Sequence, residues 1–321
     1  MTAYREVEKT KHVLEFSEGV LVKDEITENK KGRHGTIVEF RVSKKYMGDE
    51  AQLPIEDVKE WVESLFYLNS DNLKNKGITC TLNIYDGMTL EKTYKFKPKP
   101  FSDLINKIIP SSIKKKDLSD LCVLKGATTF IENAKTLVTN DDGTTSVEME
   151  DVEKHIHIDA AFQYCTRADV SDVAQYDTYC NYTNTIDNGV HLDAFDEAYC
   201  RFIQNKVNES MSEAQKNKMK VTWEDIRTNL YCVINLSSDA QVGFVGNAKT
   251  KIDNKELVPY IKEIVTGCLD EFFNDNQSML NDIIKLVKLN VKARLEAAKA
   301  KSATQVERLN TFKEHKQHCV L

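Results

Sequence analysis

The chain has no surplus of positive charge, no long apolar run and no paired cysteines, and each absence excludes a class of protein. Its 44 Lys and Arg are outnumbered by 50 Asp and Glu, a net charge of −6 at pH 7. A protein that grips nucleic acid with its whole surface is basic, so any such contact here must be local. No stretch approaches the roughly 18 consecutive apolar residues of a membrane helix. The opening MTAYREVEKTKHVLEF is charged and lacks the apolar centre of a signal peptide. Together these predict a cytoplasmic protein with no membrane partner. The eight cysteines never fall as a CxxC pair, and most sit in apolar runs, so they read as reduced, buried thiols. The tail HCVL puts Cys319 third from the end, which rules out a prenylation box.

What is present is enough for a packed core. Hydrophobic residues make up 41% and charged residues 29% of 321, which suits two domains, or one with helical extensions. Alternation in VLEF (13–16) and TIVEFRV (36–42) predicts strands, with Gly32 and Gly35 punctuating the link. Over 53–69 a helical period puts Val58, Trp61, Val62, Leu65 and Phe66 on one face, with Pro54 at the start. ITCTLNIYD (78–86) reads as a strand. Residues 87–150 show no clear period and predict irregular structure and short helices, with a strong turn signal in TNDDGTTS (139–146).

From residue 153 the pattern firms. KHIHIDAAFQYC, YCNYTNTI and LYCVINLS read as strands, the last nearly all apolar and therefore central. Residues 191–207 form an amphipathic helix, and Thr222, three residues before Asp225, caps a short one. After residue 253 the pattern is helical: one helix over 256–274, and another from 277 to about 301 or beyond. The second drifts from apolar residues to KARLEAAKAK, as a helix leaving a globular body does. His155 and His157 share a strand face, but no third ligand accompanies them, so no metal is assigned. His191, near a helix start, suits a structural histidine held by a backbone hydrogen bond better than a ligand or base.

Four motifs carry a resemblance. GRHGTIVEFRV (32–42), followed by WVESLFYLN and ITCTLNIYDG, resembles the strand that closes a gyrase-type ATPase sheet and the helix and strand after it. TYCNYTNTIDNGVHLDAF (178–195) resembles the family's strand–loop–helix and keeps Thr185, Gly189, His191 and Phe195. WEDIRTNLYCVINL (223–236) is similar to the family's EDVREGL segment, and FVGNAKTKIDNKEL (244–257) to its F-x-x-QTK-x-KL. In this order, over roughly residues 10–300, they resemble the transducer region of a type IIA DNA topoisomerase ATPase subunit, of the gyrase B or phage large-subunit kind.

The resemblance implies an α/β (α+β) fold: a ribosomal-protein-S5-like transducer built on a four-stranded sheet, with a partial ATPase-domain sheet before it and a long C-terminal helix after it. Residues 1–100 would be the remnant of the ATPase domain, 101–255 the transducer and 256–321 helices leading towards the cleavage core. Lys249 would be the catalytic lysine that touches the ATP γ-phosphate, with Asn247 in place of the family's glutamine beside it. Lys285, Lys288, Lys292 and Arg294 read as a solvated face or, in a transducer, as contacts to the phosphates of double-stranded DNA. The family's E-x-x-x-N and D-x-G-x-G motifs do not precede these segments, and EGDSA does not follow them. ATP and Mg2+ are therefore expected only in an assembled, dimeric enzyme, with other segments or subunits supplying the ATPase and cleavage cores. The chain alone is expected to be inactive. The alternative is a non-catalytic phage protein that mimics a transducer and binds gyrase or DNA, in which case the compartment is the host cytoplasm.

Overall fold

The computed structural model describes residues 1–41, 45, 48, 54–86, 88–139, 145–167, 169–170 and 173–318. The chain gathers into two compact units, Met1–Val58 and Lys59–Leu321.

The first unit is an antiparallel sheet of β1 (Thr2–Arg5), β2 (Thr10–Ser17), β3 (Val20–Glu28) and β4 (Gly35–Ile37), in the order β3-β2-β1-β4. β4 is shorter than the alternation over 36–42 predicts, because its ladder with β1 ends at Ile37. Asn29 stitches the turn after β3: its Nδ2 donates to Arg33 O at 2.6 Å, and its Oδ1 accepts from Arg33 N at 3.1 Å. Among the described residues of this unit Asn29 alone is buried, while Phe16, Val20, Val22, Ile26 and Phe40 are exposed.

The helix α1 (Ile55–Leu68) follows Pro54, as predicted. Its buried residues are Phe66, Tyr67 and Leu68. Trp61, placed on the inner face by periodicity, is 58% exposed, because only the last turn of α1 enters a core cluster. Next come α2 (Ser70–Asn75), the hairpin of β5 (Cys80–Asp86) and β6 (Thr89–Phe96), and α3 (Ile105–Ile108).

β7 (Cys122–Thr139) then pairs along its whole length with β8 (Thr145–Tyr164), from Thr139 opposite Thr145 to Cys122 opposite Phe162. The expectation of irregular structure over 87–150 is thus corrected: β6, β7 and the first part of β8 lie there. Over 131–139 and 145–153 apolar and charged residues mix on both faces and leave no clean period, although Cys122, Leu124 and Phe130 of β7 share a buried face; cross-strand hydrogen bonding extends the pair beyond it. The turn signal falls on residues 140–144, outside the described residues.

The rest follows the expected order: β9 (Gln175–Cys180), β10 (Thr183–Asn184), α4 (Val190–Glu209), α5 (Glu213–Lys218), α6 (Trp223–Arg227), β11 (Leu230–Ser238), α7 (Val258–Asp275) and α8 (Gln277–His318). The sheet order is β10-β9-β11-β8-β7, with β9 and β11 parallel and the other pairs antiparallel. The two-residue β10 makes it five-stranded where four were expected. β11 is central, and Leu230 to Leu236 are all buried. Ile156, Ile158, Ala160 and Phe162 of β8 face α4, α7 and α8 across one core; Ala161, Tyr231 and Val233, pointing the other way, meet Tyr67, Leu68, Phe101, Leu104 and Ile105 in a second. Each large apolar side chain so buried contributes about 1.5–3 kcal/mol.

Beyond the second core the same sheet face opens into a cleft of about 560 Å3 lined by Asp71, Lys125, His157, Asp159 and Ser237. Lys125 Nζ lies 3.2 Å from Asp71 and 4.0 Å from Asp159. In α8 the last fully packed side chain among the described residues is Val291, and the helix continues to His318, so it does leave the body. The described cysteines carry no disulfide, and Cys122, Cys165, Cys180, Cys200 and Cys232 are buried. No helix is long and apolar enough to cross a membrane.

Candidate functional site

β11 runs directly into the loop that carries Lys249. The loop turns through Gly246 to Lys249 and closes at its base, where Phe244 bridges Ile252 and Val245 N donates to Lys251 O at 2.8 Å. Asn254, buried below, accepts from Gly243 N and donates to Gln241 O at 3.2 Å. Lys249 itself adopts φ 55°, unusual for a residue with a side chain. Both Asn247 and Lys249 are exposed. The Lys249 ammonium stands 5.5 Å from the centre of the Phe244 ring, and among the described residues no carboxylate pairs with it.

The strand–loop–helix motif holds this loop. Asp187 N donates to Thr250 O at 3.0 Å, and Val190 N to Ile252 O at 3.2 Å. Between them Gly189 lies against the Ile252 backbone at φ 141°, and a Cβ there would come within 2.4 Å of Ile252 O. Only glycine permits that approach. Beneath it, Thr178 Oγ1 donates to Thr185 O at 2.9 Å, and Thr185 Oγ1 lies 3.2 Å from His191 Nε2. His191 is fully buried, and burial pushes its pKa down to about 4. Its ring is therefore neutral near pH 7. Its partner is a side-chain hydroxyl, not the backbone group expected from the sequence, and Nδ1 has no hydrogen-bond partner among the described residues.

A second constellation lies at the opposite end of β11. Thr222 caps α6 in a reciprocal box with Asp225. Asp225, 2% exposed, also receives Arg294 of α8, whose Nε donates at 2.8 Å and Nη2 at 3.0 Å. Arg294 Nη2 further donates to Lys220 O at 2.7 Å, and Asn290 Nδ2 to Asp225 O at 3.0 Å. Beside it, Arg227 pairs with the buried Asp196, to which Tyr176 OH donates at 2.6 Å. Arg294 is thus tied to the fold by three hydrogen bonds, while its side chain stays 39% exposed. Of the other cations on α8, Lys285 pairs with Asp282 at 2.8 Å, Lys288 donates to Ser210 O at 3.1 Å, and Lys292 is exposed. The structure brings Asn247 and Lys249 together on one loop and separates them from the α8 cations by the length of β11. The sequence reading missed Asn254, Asp196 and the pairing of Asp225 with Arg294. The capping box pointed at Asp225 but not at its second partner, 69 residues away.

Thr185, Gly189, His191 and Asp225 among these anchors are motif residues. The family model described as DNA gyrase B matches residues 124–303, more than half of the chain. The chain belongs to the DNA gyrase B family. It is 29% identical to the DNA gyrase B protein of Cytophaga hutchinsonii over 161 residues, covering 50% of this chain and 32% of that protein. It is 24% identical to that of Mycoplasma genitalium over 297 residues, covering 92% and 41%. It therefore spans well under half the length of these relatives. In fold it is similar to the 43K ATPase domain of Thermus thermophilus gyrase B, solved with an aminocoumarin (TM-score 0.60, 20% identity, 94% of this chain and 70% of that one). It is also similar to the topoisomerase IV ATP-binding domain of Francisella tularensis, solved with a small-molecule inhibitor (TM-score 0.58, 16% identity, 92% and 68%).

Proposed function

We propose that this gyrase B-family chain is the transducing part of an ATP-dependent type IIA DNA topoisomerase, coupling ATP binding and hydrolysis to DNA strand passage. The observation that carries this reading is the layout of β11. Its nine residues, spanning on the order of 30 Å, join the Lys249 loop at one end to the Asp225–Arg294 attachment of α8 at the other. A force applied at the loop has a rigid, buried strand through which to reach the long helix. An ammonium on an anchored loop, with no carboxylate paired to it among the described residues, suits neutralising charge on a γ-phosphate. If that contact forms only when nucleotide is bound, it shifts the balance between two positions of the transducer. Asn247 would offer an amide donor beside it, on a shorter stem than glutamine.

The remaining assignments follow from the same reading. Residues 1–100 belong to the ATPase domain, 101–255 to the transducer and 256–321 to the lever towards the cleavage core. The bare sheet of the first unit supports this, since a sheet without buried apolar side chains needs a covering layer, which an ATPase core would supply. Among the described residues no three His, Cys, Asp or Glu side chains gather to hold a metal; Mg2+ carried with ATP would take its protein ligands from that core. The assembled enzyme would be a dimer acting on double-stranded DNA, with Lys285, Lys288 and Lys292 available to phosphates and Arg294 committed to Asp225.

The test is Lys249→Ala in the enzyme assembled with its ATPase and cleavage segments. ATP-dependent strand passage is expected to fall by at least a hundredfold, with the melting temperature unchanged. Unaltered supercoil relaxation by this variant would overturn the assignment.

A further inference from the structure

β8 pairs with β11 only from Ile156 to Tyr164. From Glu153 back to Thr145 its ladder partner is β7 alone. The hairpin therefore runs on past the sheet as a two-stranded ribbon, Ile131–Thr139 with Thr145–Glu153, for on the order of 30 Å. Its direction is set by its root. Ser238 is the last β11 residue and lies opposite Ile156; His155 N donates to Asp239 Oδ1 at 2.6 Å, and Ser238 Oγ donates to His155 O at 2.7 Å. Phe130 stacks on Tyr260 of α7 at 4.8 Å and fixes the root from the other side. The ribbon thus leaves the sheet at the end where β11 enters the Lys249 loop.

Two features mark the surface of the ribbon. One face carries Ile131, Val147 and Met149, which the register sets on the same side, and they are 62%, 61% and 57% exposed. The described ribbon strands, 131–139 and 145–153, also hold five carboxylates and one lysine, a net charge of −4. Exposed apolar side chains between two open strand edges make a surface that proteins cover or guard. Carboxylates guard it against self-pairing and against nucleic acid, but they attract a basic polypeptide.

The geometry points to the ribbon as a docking arm for the nucleotide-binding segment of the ATPase, meeting a basic, partly apolar patch on that segment. This rests on the proposed function, because the Lys249 loop at the same sheet end must approach nucleotide for that reading to hold. The arm holds the two bodies together while Lys249 makes and breaks its phosphate contact.

The experiment places the photo-cross-linker benzoylphenylalanine at Met149 in the assembled enzyme, with and without Lys249→Ala. Peptide mapping is expected to find the adduct in the nucleotide-binding segment in both. Glu150→Lys, Asp151→Lys and Glu153→Lys together are expected to lower its yield at least fivefold. A ribbon shortened by replacing residues 131–153 with Asn-Gly, checked for an unchanged melting temperature, is expected to raise the KM for ATP. An adduct to a second ribbon, to DNA or to nothing overturns the docking arm, as does a shortened variant with wild-type KM. Wild-type strand passage by Lys249→Ala overturns the coupling reading instead, whatever the cross-link shows.

Discussion

His191 and Gly189 show how single residues set the geometry of the lysine loop without touching a ligand. His191 is buried neutral, and its pKa falls to about 4 from 6.5. The unfolded chain therefore binds a proton at this residue that the folded chain refuses between those values, so its contribution to stability is whole above pH 6.5 and is lost as pH falls to 4. The loss amounts to about 3 kcal/mol. Urea unfolding at pH 7 and pH 4.5 should show it, and His191→Gln, which keeps a group able to bond Thr185 but does not titrate, should flatten that part of the profile. Gly189→Ala forces a Cβ into the Ile252 backbone and should cost about 2–4 kcal/mol. It should also expose the segment 245–251 to proteases, because the clash falls on the base of the loop. Both residues stood out in the sequence as parts of a motif. Why they matter did not, since the Ile252 backbone and Thr185 hydroxyl become their neighbours only on folding.

Among the elements, β11 and α8 bear most directly on function, and they differ in how far the sequence foretold them. LYCVINLS is apolar enough to predict a central strand, and it is one. The apolar-to-charged drift of α8 predicts a helix that leaves the body, and Val291 marks where it does so. The joint between them was not legible, because Asp225 and Arg294 lie 69 residues apart and each alone suits a solvated helix. Arg294→Met would leave the Asp225 carboxylate buried without its cation, at a cost of about 2 kcal/mol or more. Hydrogen exchange should then quicken for α8 amides near Asn290 while β11 stays protected; equal protection in both proteins would show that the pair does not fasten the helix. The ribbon was equally hidden, since charged residues interleave with its apolar ones and leave no clean period to read.

For the whole molecule, the division into Met1–Val58 and Lys59–Leu321 separates a body with two hydrophobic cores from a sheet with none among its described residues. The larger unit should melt cooperatively. The smaller should behave as a partner-dependent element, for a lone sheet of short strands cannot offset the entropy of ordering it. Limited proteolysis of the isolated chain is expected to cut within residues 1–58 first and leave a resistant fragment beginning near Lys59. Equal resistance of both units would show that the first is stable without a covering layer.

Composition and motif order alone determined that this is a packed α/β protein of the gyrase B family, without paired cysteines and with a long final helix. They could do so because periodicity and short motifs are local, and each is complete within a few turns or strands. Tertiary structure decided the rest: that Gly189 and His191 serve the Lys249 loop, that Arg294 answers Asp225 across α6, and that the acidic ribbon leaves the sheet beside that loop. Those facts depend on pairings between residues distant in the chain, and a pairing has no signature in either strand until folding sets its partner opposite it.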